Sequence, residues 1–298
     1  MTPRNDPPRP TTTDPPSRPP IVFSHANSFP AGTYRVLFEA WRRAGHAVYA
    51  IERFGQDPAY PVTGNWPHLR NQLAAFIEAE VGGPAYLVGH SLGGILSVLA
   101  AARRPELACG VVLLDAPLIL GWRAHALRMA KSIGLMQRIT PIRVAQTRRH
   151  SWPSHDAVRA HFAAKREFAR WDTRVLDDYV ASGFVRRGGQ TVLAIERELE
   201  ARIYGTLPHH VGTVLRRHPL RCPLAFVGGL KSVEARQAGM AATRRLTGDL
   251  FAWTEGTHLF PMEHPNTAAA LVLDMLERML RCAHPVAFDA ALGGARER

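Results

Sequence analysis

What the chain lacks narrows the field first. Its three cysteines, Cys109, Cys222 and Cys282, are odd in number and far apart. That argues against a disulfide framework and makes a reducing, cytoplasmic compartment the default expectation. No apolar run approaches the roughly 20 residues that a bilayer-spanning helix needs. Residues 1–19 are rich in Pro, Thr, Arg and Asp and have no apolar middle of the kind a secretory signal carries. With so little apolar surface to offset ordering entropy, they are expected to form a disordered leader. HExxH, paired CxxC and Walker-type phosphate loops are all missing, so neither a metal nor a cofactor is expected.

Lysine is scarce as well. Only three of the 37 basic residues are Lys, in a chain of net charge +12. The excess is not evenly spread: 19 Lys and Arg face 8 Asp and Glu between Ile119 and Arg221, a net +11 in that one segment. No extended basic run and no zinc-finger or RNP-like pattern accompanies it, so a nucleic-acid partner is not expected. Arginines spread over solvated helix faces account for the composition. A positive segment beside a pocket would still favour a small acyl substrate that carries a carboxylate.

What is present is concentrated at Gly89-His90-Ser91-Leu92-Gly93-Gly94. A short apolar run, Tyr86-Leu87-Val88, precedes it, and a helical run, Ile95 to Ala102, follows. Strand, then G-x-S-x-G, then helix is the sequence form of a nucleophile elbow. Glycines on either side remove Cβ atoms where strand and helix crowd each other, so the serine between them can take a strained backbone conformation.

Around the elbow, apolar strands alternate with amphipathic helices. Strands are expected at Ile21 to Phe23, Ala47 to Ile51, Ala85 to Val88, Gly110 to Leu114, Leu224 to Val227 and Asp249 to Trp253. Several are apolar on both faces, which predicts an α/β protein with a mostly parallel, doubly wound sheet covered on both sides. Ligands in such sheets gather at the carboxyl ends of the strands, and His25, Ser91 and Asp115 all fall just past strand ends. From about Leu118 to Pro219 the alternation stops. That stretch reads as helices, at Ala124 to Ser132, Asp156 to Arg170, Arg174 to Ser182 and Glu196 to Ile203, with a hairpin-like piece near Gly188-Gly189. A long helix is expected over Pro265 to Ala283.

These motifs, in this order, resemble the α/β-hydrolase superfamily over about Pro20 to Ala283. The resemblance implies a core at 20–117 and 220–285. It also implies a helical cap at 118–219, inserted between the last-but-two and last-but-one strands, and a tail at 286–298. It implies Ser91 as nucleophile and His258, in the loop Gly256-Thr257-His258 after the last strand, as base. His264 beside Pro265 reads as a surface or capping residue. The acid usually follows the strand that is here Leu224 to Val227. That loop runs Gly228-Gly229-Leu230-Lys231-Ser232-Val233-Glu234, with Ser232 where an aspartate is expected. Some members take the acid one strand earlier, which lands on Asp115; Glu234 is the alternative. Oxyanion donors would be Leu92, after the nucleophile, and Asn27, in the loop His25-Ala26-Asn27. The implied activity is serine hydrolysis of a carboxylic ester or related acyl bond. Carbon–carbon bond hydrolysis, acyl transfer, cofactor-free perhydrolysis and a non-catalytic binding role stand as alternatives. A serine rather than an aspartate at the elbow weighs against dehalogenase and epoxide-hydrolase chemistry.

Overall fold

Consecutive residues of a strand face opposite ways, and in this chain both faces are apolar. In the computed structural model, which describes residues 18–283, that pattern resolves into two cores, one on each side of a sheet. Ile21, Phe23, Tyr86, Val88, Val112, Leu114, Ala225 and Val227 point to one side. Val22, Ala85, Leu87, Val111, Leu113, Leu224 and Phe226 point to the other.

In chain order, β1 (Arg18–Ser24), β2 (His46–Ala50), β3 (Ala85–His90) and β4 (Ala108–Leu114) come before a long insertion. The insertion contributes β5 (Ser151–Trp152), β6 (Phe184–Arg187) and β7 (Gln190–Leu193) to a separate antiparallel sheet of order β5-β7-β6. β8 (Leu224–Gly229) and β9 (Phe251–Thr254) then complete the main sheet, six strands in the order β2-β1-β3-β4-β8-β9. Every pairing in that sheet is parallel. Parallel neighbours need crossovers, and helices supply them. Helices Arg35–Arg43 and Pro265–Ala283 cover the first core, and Pro67–Phe76 and Leu92–Arg103 cover the second. β1 begins at Arg18, inside the stretch expected to be a leader. The rest of that leader and the tail at 286–298 lie outside the described residues.

The insertion is not purely helical. Gly188 and Gly189 both have positive φ, 57° and 79°, the two-residue turn whose twist suits a hairpin. The hairpin β6–β7 gains a third strand in β5, a piece of two residues with no readable period. The helix expected over Asp156 to Arg170 stops at Ala163, and a short 3₁₀ turn, Phe168–Arg170, follows. Ser154 and Asp172 cap the helices His155–Ala163 and Thr173–Ser182 by accepting from the N–H groups of Ala157 and Arg174.

The insertion buries Trp152, Phe162, Trp171, Tyr179 and Phe184 in the same core as the first face of the main sheet. Arg35 Nε binds Asp178 Oδ1 at 2.7 Å, and Asp172 N donates to Met262 O at 3.0 Å. Among the described residues no helix is long and apolar enough to cross a membrane.

Register decides what meets at the carboxyl edge. Ser24 pairs with Gly89, His90 with Leu114, Leu114 with Val227, and Gly229 with Thr254. The loops after β1, β3, β4, β8 and β9 therefore open side by side.

Candidate active site

Ser91 sits between the end of β3 and the start of helix Leu92–Arg103 with φ 52° and ψ −114°, a conformation a non-glycine residue holds only under compulsion. The compulsion is steric. Cβ atoms at Gly89 or Gly93 would collide with the Gly93 backbone and the Ser24 carbonyl respectively, so strand, elbow and helix close only with glycine at both places. Ser91 N donates to Leu114 O at 3.0 Å, which pins the elbow to β4. As the first helical residue, Leu92 has an N–H without an intrahelical partner, at the helix end that favours anions.

Asp115 follows β4 with φ 41°, a second strained position, and its side chain is wholly buried. Three donors meet its carboxylate. His258 Nδ1 lies 2.9 Å from Oδ1, Ser232 Oγ donates to Oδ1 at 2.6 Å, and Gly229 N donates to Oδ2 at 2.7 Å. Burial pushes this carboxyl group up. The hydrogen bond and charge of His258, with the Ser232 and Gly229 donors, outweigh burial and hold it below the usual aspartate value. At His258 burial works downward, but the bond to Asp115, its charge and that of Glu234 prevail, and the imidazole is held above its ordinary value. Because a carboxylate only accepts, Nδ1 carries the hydrogen and Nε2 keeps its lone pair.

Glu234 is exposed and does not bond to His258; its nearest polar contact is Ser232 Oγ at 3.5 Å. Ser232, at the position where an aspartate was expected, binds Asp115 and also caps helix Val233–Ala238 by accepting from Ala235 N at 3.0 Å. His264 is exposed at the start of the last helix.

His90, next to Ser91, donates through Nε2 to the His258 carbonyl at 2.9 Å, and the two imidazole rings lie 5.0 Å apart. Among the described residues no hydrogen bond joins Ser91 Oγ to the His258 ring. Bonds of that kind often close only when substrate binds. The His258 loop is held from below by Glu263, whose carboxylate accepts from Thr257 N at 2.7 Å and from Thr257 Oγ1 at 2.8 Å.

In the loop after β1, His25 Nε2 accepts from Phe54 N at 2.9 Å and its Nδ1–H donates to Ala26 O at 2.7 Å. Burial lowers its pKa to about 4, so it works as a neutral clamp. The Asn27 side chain is partly committed: Nδ2 donates to Glu200 O at 3.1 Å, across to the insertion. That bond uses one of the two amide hydrogens; the backbone N–H and the second amide hydrogen remain to face an anion. The Glu200 side chain pairs with Arg148 at 2.7 Å. Glu263 and Glu200 carried no signal in the sequence, nor did Tyr34, whose hydroxyl lies 2.7 Å from His90 Nδ1. Each acts through space from a helical turn, and no spacing marks it.

Comparisons with known proteins agree with this architecture. The model of the alpha/beta hydrolase family matches residues 21–271. A chloroplastic pheophytinase of Arabidopsis thaliana is 39% identical over 62 residues, 21% of this chain and 13% of that protein. A monoglyceride lipase of Rattus norvegicus is 31% identical over 109 residues, 34% of this chain and 35% of that protein. The chain thus spans well under half the length of these relatives. Among solved structures, an E-2-(acetamidomethylene)succinate hydrolase superposes with a TM-score of 0.68 at 22% identity, covering 87% of this chain and 91% of the other. That likeness is one of fold.

Proposed function

The chain belongs to the alpha/beta hydrolase family, and from that premise we propose that it is a serine hydrolase cleaving a carboxylic ester or related acyl bond through an acyl-enzyme. One observation carries the reading: a buried Asp115 carboxylate bound to His258 Nδ1 at 2.9 Å, next to a strained serine elbow. A serine hydroxyl is a poor nucleophile until a base takes its proton, and this arrangement leaves His258 Nε2 available as that base.

In the proposed reaction, Ser91 Oγ attacks the acyl carbon while its proton passes to His258 Nε2. Asp115 holds the tautomer and stabilises the imidazolium without taking the proton itself. The carbonyl oxygen, now negative, is met by the N–H groups of Leu92 and Asn27. Losing one such donor typically costs ~10²–10³ in turnover. The tetrahedral intermediate collapses, the C–O bond to the alcohol breaks, and His258 returns the proton to the leaving oxygen. Water, deprotonated by the same histidine, then releases the acid and restores Ser91.

Residues 118–219 are assigned the role of a cap over this edge, a reading supported by the bond from Asn27 to Glu200. The positive charge of that segment supports an acyl substrate bearing an anionic group. The names of the relatives, a monoglyceride lipase and a pheophytinase, are consistent with acyl-bond hydrolysis. The test is Ser91→Ala. The variant should fold as the parent does, lose turnover of a p-nitrophenyl ester and no longer react with a fluorophosphonate probe. Turnover retained by a well-folded Ser91→Ala protein would refute the scheme.

A further inference from the structure

The loops assigned to oxyanion, nucleophile and base are joined by a chain of hydrogen bonds that the reaction above does not use. Ala26 N donates to Tyr34 Oη at 3.3 Å, Tyr34 Oη lies 2.7 Å from His90 Nδ1, and His90 Nε2 lies 2.9 Å from His258 O. All of the side chains in it are buried.

The direction of the chain is fixed by its two ends. A carbonyl oxygen can only accept, so His90 Nε2 must carry the hydrogen. A neutral imidazole has one N–H, so Nδ1 must accept, and the Tyr34 hydroxyl must donate to it. The phenol oxygen then accepts from Ala26 N–H, and every donor is matched. Burial above all, with the neighbouring His258 adding to it, lowers the His90 pKa to about 3. Burial also pushes the Tyr34 phenol far up. Neither group changes its charge in the range where an ester hydrolase works, so the chain keeps one direction throughout.

Ala26 directly precedes Asn27, His90 directly precedes Ser91, and the chain ends on the backbone of His258 itself. We propose that His90 is a positioning residue: with Tyr34 it sets the His258 backbone, and through it the imidazole, against Ser91 and the loop after β1. The proposal rests on the hydrolase reading for its kinetic consequence but not for its geometric one. Without the chain, the base and the oxyanion loop shift independently of the elbow, and a misplacement of ~1 Å can cost ~10²-fold in rate.

Two isosteric choices separate positioning from space filling. Gln at position 90 puts an amide N–H near the place of Nε2 and keeps the link to His258 O. Asn at 90 puts its amide near Nδ1, keeping the link to Tyr34 but losing the one to His258. With p-nitrophenyl butyrate, His90→Leu and His90→Asn should each lower kcat by about 10- to 100-fold with KM nearly constant, and His90→Gln should restore most of it. Tyr34→Phe cuts only the far link, which His90→Gln also lacks, so its loss of kcat should be comparably small. Its loss and that of His90→Leu should overlap in the double variant instead of adding, since both cut one chain.

A second measurement needs no turnover. The downfield proton of the His258–Asp115 bond, seen by NMR in the free protein, should broaden in His90→Leu and His90→Asn and stay sharp in His90→Gln. Wild-type kcat in His90→Leu, equal losses in Gln and Leu, or an unchanged proton signal would overturn the assignment. Failure of the hydrolase reading is a separate event, visible as an unlabelled, inactive parent protein, and the NMR comparison still decides the role of His90.

Discussion

A carboxylate removed from water must be matched by donors or give up its charge. Asp115 is matched three times, by His258, Ser232 and Gly229. Replacing it with Asn keeps the volume but turns one oxygen into an NH2 donor. With the amide oxygen turned to Gly229 N–H, the NH2 faces Nδ1, which must then accept, and the imidazole presents the wrong tautomer to Ser91. Asp115→Asn should lower kcat by ~10³–10⁴, read by steady-state kinetics on a neutral aryl ester.

The same pair sets the pH dependence. The base must be neutral, and Asp115 raises the pKa of His258, so kcat/KM should climb through a midpoint above the ordinary ~6.5. In Asp115→Asn the downward pull of burial is opposed only by the charge of Glu234, and the midpoint should fall below that of the parent. A midpoint that does not move would contradict the assignment. The linkage to stability follows in sign. The raised histidine contributes fully below its unfolded pKa, and that contribution is lost as pH rises through the folded value. The depressed aspartate contributes above its own unfolded pKa and is lost as pH falls through its folded value. Asp115 and Glu234 were both legible as carboxylates past strand ends. Which of them meets His258 was not, because strand register and the bond from Ser232 decide it, and neither has a one-dimensional signature.

Strands were the most legible elements, since fully apolar runs such as Val111 to Leu114 admit few other readings once Gly and Pro bound them. The elbow was legible for a related reason: its glycines are required by contact. Gly93 faces the Ser24 carbonyl so closely that any side chain must push β1 and the helix apart. Gly93→Ala should therefore lower the melting temperature sharply, by overpacking worth ~1–3 kcal/mol or more, and remove activity with it. Gly83→Ala is the matched control, because nothing lies within 4 Å of a Cβ placed there. Its melting temperature should stay close to that of the parent, and equal losses in the two variants would show that close approach is not what the elbow glycine serves. Less of the insertion was legible. β5 has two residues, and the break after Ala163 interrupts an amphipathic run without Gly or Pro to announce it. Tertiary packing of Trp152 and Phe162 into the shared core sets those boundaries.

At the scale of the whole molecule, charge and shape combine. The segment between Ile119 and Arg221 holds a net +11. Some of it is locally answered, by the pairs Arg148–Glu200, Arg159–Asp177 and Arg174–Asp172. A groove of about 680 Å³ between core and insertion is lined by Arg186, Arg187 and Arg202 of this segment and by Arg53 of the core, against Glu196 and Glu198, with Arg187 paired to Glu196 at 3.8 Å. A net positive field over the face that carries the insertion would raise the local concentration of an anionic substrate, and salt would weaken it. The Debye length falls from ~30 Å at 0.01 M to ~3 Å at 1 M, so the long-range part of that attraction is nearly gone at the higher salt. Two esters with the same leaving group isolate the effect, p-nitrophenyl butyrate and the mono-p-nitrophenyl ester of succinic acid. Across that range of sodium chloride, kcat/KM for the anionic ester should fall by roughly 3- to 10-fold more than for the neutral one, with the difference residing in KM. Salt curves that run parallel for the two esters would mean that the positive segment does not act on substrate, and that its arginines serve only to keep the surface of the insertion solvated.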